Sequence, residues 1–199
     1  DNTIILFCSD HGEMLGDFGL FAKRTFYEGS ARIPMILMGL PGDRRIPPGS
    51  TDDRLVGLQD VMPTLLDLAG IDVPDSCDGI SMHGSNRRDL LYGEVLENNS
   101  ATRMIHDGRH KLIWYPAGNT VQLFDLSNDP QELTDLADSA ELSPVRDNLE
   151  AALAAACYGK DVEDGWVSGD RLVGCDPGPY LPNPDRSFSA QRGIHYPQP

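Results

Sequence analysis

The residues most able to do chemistry sit in one short stretch. Ser9-Asp10-His11-Gly12 follows directly on the apolar run Thr3–Cys8, and Lys23 comes twelve residues after His11. An aspartate offers a hard carboxylate oxygen and a histidine an imidazole nitrogen, so a turn after a strand could bring both to one cation. A lysine ammonium nearby would neutralise a tetrahedral oxyanion and charge on a leaving oxygen. Taken alone, Asp-His-Gly favours a capping aspartate beside a solvated histidine. The neighbours reverse that weighting, because Glu13, Asp17 and Lys23 crowd one loop with Gly12, Gly16 and Gly19. Glu28 and Arg32, four apart, read as a salt bridge or helix-face pair. His83 lies in a later loop from which it could reach a substrate mouth, while His106, His110 and His195 read as structural.

In open α/β sheets, ligands bind beyond the carboxyl ends of strands, so the apolar runs decide where these residues stand. Thr3–Cys8 is continuous and suits a strand buried on both faces of a parallel sheet. Ile33–Met38 has the same character, with Pro34 at its start. About two dozen polar and Gly-rich residues separate the two runs, and a loop that long is usually functional. Turns follow at Pro41-Gly42 and Pro47-Pro48-Gly49. Asp60 can cap a helix that tolerates Pro63 in its first turn, buries Val61, Leu65, Leu68 and Ala69, and ends at Gly70.

The pattern changes after residue 88. Leu91–Val95 reads as a short strand. Arg103–His106 and Lys111–Tyr115 flank Asp107-Gly108, a hairpin signal, and Val121–Leu126 completes an antiparallel meander. Ser143-Pro144 opens a helix through Cys157 with Leu149, Leu153 and Ala156 on one side. The expected organisation is an α/β part over 1–88 carrying the site loop, a small antiparallel α+β subdomain over 89–157 and an irregular Gly/Pro-rich arm over 158–199, with Trp166, Tyr180 and Tyr196.

Composition narrows the classes. The chain has 199 residues, 40% hydrophobic, with a net charge of −15. That supports a real core and argues against a nucleic-acid partner, which selects a basic face. No apolar stretch approaches the roughly 18 residues that span a bilayer. The four cysteines show no CxxC spacing, which disfavours a zinc knuckle. Cys8 is expected as a buried thiol, and Cys157 and Cys175 could pair across a loop. The chain opens on Asp1-Asn2 and enters a strand almost at once, which reads as the middle of a longer protein and leaves the compartment open.

Several stretches, in order, resemble the sulfatases of the alkaline-phosphatase-like superfamily. SDHGEMLGDFGLFAKRTFYEGSARIPMIL resembles the family's second signature region. LVGLQDVMPTLLDLAGIDVPDSCDGIS resembles the helix after the site, and RMIHDGRHKLIWY with LFDLSNDPQELTDLA resembles the C-terminal subdomain. The resemblance covers residues 1 to about 157. It implies part of an alkaline-phosphatase-like sheet-and-helix core and cleavage of a small sulfate ester. It also implies one divalent metal, with Asp10 and His11 as two ligands, and Lys23 as the catalytic, sulfate-contacting cation. Calcium is the family's usual metal, but His11 in place of asparagine suits manganese or zinc as well.

The family nucleophile is a formylglycine made from a Cys/Ser-x-Pro/Ala-x-Arg motif. No cysteine or serine here stands in one, so the formylglycine is expected upstream, with the remaining metal ligands, and the chain alone is expected to be inactive. A phosphonate monoester or phosphodiester hydrolase on the same scaffold is the nearest rival. A non-catalytic sulfatase-like module is the rival of another class. The oligomeric state is open.

Overall fold

The structure, a computed structural model, describes residues 3–96 and 100–178. Two compact units divide it. The first joins the residues up to Asp10 with Ile33–Leu91. The second joins His11–Arg32 with the described residues from Tyr92 onward. The chain therefore passes between the units at Asp10–His11, at Arg32–Ile33 and at Leu91–Tyr92.

In the first unit, β1 (Ile5–Cys8) pairs with β2 (Met35–Met38). The pairing is antiparallel, with Ile5 opposite Met38 and Cys8 opposite Met35. The neighbour that β1 has among the described residues is antiparallel, not parallel as expected. Ile5, Phe7, Ile36 and Met38 share one face and are each more than half exposed. An apolar run states that a strand is hydrophobic, not which way its partner runs. Cys8 is likewise only partly buried, and all four cysteines are free thiols.

After a 3-10 turn over Leu58–Asp60, α2 spans Val61–Leu68. Pro63 sits in its first turn, and Gly70 closes it in the left-handed region at φ 72°. There Ile71 N donates to Leu66 O at 2.9 Å, as a left-handed C-terminal cap requires. The buried face differs from the one periodicity suggests. Pro63, Thr64 and Leu68 are buried, whereas Leu65 is exposed. Asp60 also differs, since its side chain makes no cap to α2. Its carboxylate is fully buried and accepts from Gly57 N at 2.8 Å, from Ile80 N at 2.9 Å and from the Arg88 guanidinium. It pins the segment after α2 to the turn before it.

In the second unit, β3 (Leu91–Val95), β4 (Thr102–His106), β5 (His110–Tyr115) and β6 (Thr120–Asp125) form one sheet in that order. The Asp107-Gly108 hairpin forms as expected. Asp107 accepts the amides of Arg109 at 2.8 Å and His110 at 2.6 Å. Both faces of the sheet are covered. Ile105, Leu112, Trp114 and Leu123 face Leu149, Leu153 and Cys157 at the helix α3 (Ser143–Ala156). Met104, Ile113 and Phe124 pack on the other face against Phe26 and Tyr27 of the site loop.

The Leu123–Ala137 stretch is a turn wired by aspartates. Asp125 accepts from Arg109, Ser127 N and the Asn128 amide, and Asp135 accepts from Leu123 N and Ala137 N at 3.0 Å each. Of the arm expected over 158–199, the described part is packed rather than irregular. α4 (Lys160–Glu163) leads to the two-stranded β7 (Val167–Ser168) and β8 (Arg171–Leu172). Trp166 enters the core, and Cys175 N donates to Pro116 O at 2.8 Å. Tyr180, His195 and Tyr196 lie outside the described residues. No described helix is long and apolar enough to cross a membrane.

Candidate active site

The loop between the apolar runs is held by its backbone. Gly12 N donates to Ser30 O and Glu13 N to Gly29 O, both at 2.8 Å, so the loop's entrance is zipped to its exit. The approach is close enough that a Cβ on Gly12 would stand 2.1 Å from Gly29 O, and only glycine fits there. Met14 is buried and anchors the next turn, its amide donating to Ala22 O at 2.8 Å. Beyond it the chain is strained. Leu15, Phe18, Ala22 and Arg24 all have positive φ, four of the seven such non-glycine residues among those described. Each costs on the order of 1–2 kcal/mol, and strain of this kind clusters at functional loops. Phe18 stacks on Tyr27 with ring centroids 4.4 Å apart. The Tyr27 hydroxyl donates to Gln122 Oε1 at 3.0 Å, tying the loop to β6.

Two of the predicted site residues meet inside this frame. The Lys23 ammonium donates to His11 Nε2, and His11 Nδ1 lies 2.7 Å from Gly12 O. A carbonyl only accepts and an ammonium only donates. The two contacts suit a ring with its proton on Nδ1 and its lone pair on Nε2. That is the form in which an imidazole serves as a metal ligand. Both side chains are half-buried, so their polarity is felt more strongly than in bulk water. Asp10 precedes them in the chain, is exposed and belongs to the first unit. Among the described residues no group of three or more His, Cys, Asp and Glu is gathered to hold a metal. The donor types of Asp10 and His11 fit a divalent ion as two of its ligands.

His83 sits elsewhere. Its Nδ1 lies 3.2 Å from Asp67, which also accepts from Ser81 Oγ at 2.6 Å. The Ser81 hydroxyl, with the His83 charge beside it, lowers the Asp67 pKa. Ser81 Oγ meanwhile accepts from His83 N at 3.1 Å. This clasp fastens the loop after α2 to its last turn.

The sequence reading missed what holds Glu28. Glu28 does pair with Arg32 at 3.6 Å, but its other oxygen meets Lys111 Nζ at 2.7 Å. Lys111 in turn meets Glu132 at 2.7 Å. The available signal was Lys111 itself, a lysine inside the otherwise apolar strand His110–Tyr115, since lysine is almost never buried unpaired.

The comparisons agree with this architecture. The family model described as N-sulphoglucosamine sulphohydrolase, C-terminal, matches residues 16–158. The chain belongs to that sulfatase family. It is 37% identical over 179 residues to an arylsulfatase of Clostridium perfringens, covering 87% of this chain and 37% of the relative. To a choline-sulfatase of Rhizobium meliloti it is 42% identical, covering 74% and 31%. A protein solved in complex with its substrate D-glucosamine-2-N,6-O-disulfate superposes with a TM-score of 0.70 at 27% identity, covering 84% of this chain and 36% of that one. A phosphonate monoester hydrolase of Agrobacterium radiobacter superposes at 0.64 with 30% identity, covering 77% and 34%. The chain thus spans about a third of the length of these proteins. The alkaline-phosphatase-like fold class stands, joined to an antiparallel C-terminal sheet.

Proposed function

We propose that this chain supplies the sulfate-contacting lysine and two metal ligands of a metal-dependent sulfuric ester hydrolase. The observation that carries the reading is the joining of His11 and Lys23 in a strained, backbone-zipped loop of a chain with sulfatase relatives. A divalent cation held by Asp10 and His11, with ligands from outside this chain, would neutralise charge on the ester oxygens. A metal on His11 Nε2 would take the lone pair that meets Lys23 here, leaving the ammonium's three N–H donors for the substrate. They can reach non-bridging or leaving oxygens of a sulfuryl group. With Nδ1 against Gly12 O, the His11 ring keeps Nε2 turned toward the ammonium. No residue in the chain is an activated nucleophile of the formylglycine type, so in-line attack needs a group from elsewhere.

The test uses the full-length protein with a small aryl sulfate. Lys23→Ala is expected to lower kcat/KM by about 100-fold or more, in line with loss of an oxyanion donor, with metal content intact. Asp10→Ala is expected to lose the metal, because it removes a charged ligand. Mass-spectrometric metal analysis separates the two. Unchanged metal in Asp10→Ala removes Asp10 from the ligand set, and unchanged turnover in Lys23→Ala sinks the reading of Lys23.

A second reading is favoured by the phosphonate monoester hydrolase likeness and by His11, whose imidazole suits manganese or zinc. Faster turnover of an aryl phosphonate than of the matching aryl sulfate would select it.

A further inference from the structure

Lys111 is an anomaly in its strand. Its side chain is 2% exposed, and its neighbours Leu112 and Ile113 are core residues. A buried ammonium must be matched by charge and hydrogen bonds or it is expelled. Glu28 matches it with a hydrogen bond and Glu132 with charge alone, each with an oxygen 2.7 Å from Nζ. Glu132 does more, since its second oxygen accepts the Glu28 amide at 2.6 Å. That satisfies a free N–H at the start of α1 (Glu28–Ala31). The backbone of Glu132 is itself in the left-handed region at φ 58°, held there within the aspartate-wired turn.

The contacts continue from α1 to the site. Gly29 O and Ser30 O of α1 accept the amides of Glu13 and Gly12, and Gly12 O faces His11 Nδ1, whose Nε2 accepts from Lys23. All of these residues belong to the second unit. An unbroken series of ionic and hydrogen-bonded contacts therefore runs from the buried lysine of β5 to the candidate cation of the loop.

We propose that the Glu28–Lys111–Glu132 triad is the positioning device of the site, setting α1 and through it the places of His11 and Lys23. Its three members are positioning residues: they touch neither ester nor metal. Removing Lys111 leaves the buried Glu132 carboxylate facing that of the partly exposed Glu28, and the cheapest relief is to swing α1 away, which unzips Gly12 and Glu13. The functional meaning rests on the proposed reading of Lys23, but the structural test does not.

That test is amide hydrogen exchange on the chain itself. In Lys111→Met the Gly12 and Glu13 amides are expected to lose protection roughly tenfold or more, while Leu112 and Ile113 hold theirs, because local openings are independent of global ones. Unchanged protection at Gly12 and Glu13 overturns the proposal. A uniform loss across the sheet also overturns it, since the triad would then support only the fold. Should Lys111→Met fail to fold, Glu132→Gln keeps the volume and an acceptor for the Glu28 amide. The same two amides are expected to lose protection first, and no loss there is again fatal. In the full-length protein, Lys111→Met is expected to cost less turnover when added to Lys23→Ala than in the wild type, because part of its effect passes through Lys23. Fully additive losses would contradict it. Lys23→Ala without effect would instead defeat the functional reading of the loop and leave the exchange result standing.

Discussion

The two units reach order by opposite means. In the second, apolar side chains do the holding: Trp114, Leu112, Leu123 and Leu153 are wholly buried, and both faces of the sheet are covered. In the first, Pro63 and Leu68 are the fully buried apolar side chains among the described residues, beside the buried polar Asp60, Thr64 and Ser81. There, directed bonds replace packing. Asp60 gathers two amides and a guanidinium, and Thr64 Oγ1 accepts Met82 N at 2.8 Å while donating to Asp60 O. Packing is non-directional and gains from every neighbour, whereas a bonded carboxylate is all or nothing. The comparison teaches where a single substitution does most harm in each unit.

The largest effect belongs to the second unit. Trp114 is 0% exposed, and its indole N–H donates to Asn119 Oδ1 at 2.9 Å. Trp114→Ala is expected to destabilise by about 3–5 kcal/mol, through lost transfer energy and the cavity left behind. Equilibrium denaturation gives the number. A loss under about 1 kcal/mol would mean that the sheet is not held by its core.

The same contrast decides what was legible in the sequence. The hairpin at Asp107-Gly108, the helix from Ser143 and the C-terminal stop at Gly70 were readable, because local chemistry dictates each of them. The direction of the β1–β2 pairing was not, since Ile5–Cys8 and Met35–Met38 are apolar at every position and carry no register signal. The buried face of α2 was misread because Thr64 and Asp60 are drawn inside by hydrogen bonds that hydropathy does not show. Asp10, His11 and Lys23 were candidates by type and spacing, and the structure brings His11 and Lys23 together. The Glu28–Lys111 contact could not be read from the sequence, as it joins positions 83 residues apart, and the plausible local partner Arg32 was also present.

In the first unit the sensitive residue is a carboxylate. Asp60→Asn preserves shape but turns an oxygen into an NH2 that faces Arg88, Gly57 N or Ile80 N, all donors. The expected loss is about 1–3 kcal/mol, the range for a buried group left unsatisfied. Amide exchange should show it around Gly57 and Ile80 before the β4–β5 ladder. Equal loss in both places would erase the distinction between a bonded unit and a packed one.

The smallest expected effect tests a carboxylate where packing already suffices. Asp125 ends β6 and pairs with Arg109 at 2.6 Å, but that arginine side chain is 54% exposed. The Arg109 guanidinium holds the Asp125 carboxyl far below the usual carboxylate range, and Asn128 and the Ser127 amide add to it. A depressed folded pKa means that the ionised form is preferred in the native state. The stabilisation is therefore present in full above the unfolded pKa of about 3.9 and fades as pH falls below it. Because the Arg109 end of the pair is open to solvent and salt, Asp125→Asn is expected to cost only about 0.2–1 kcal/mol at neutral pH. The difference from wild type should shrink steadily between about pH 4 and pH 2. Thermal melts of both proteins across that window measure it. A loss at neutral pH as large as that of Asp60→Asn would show that the aspartate-wired turn, and not the core beneath it, holds the end of the sheet.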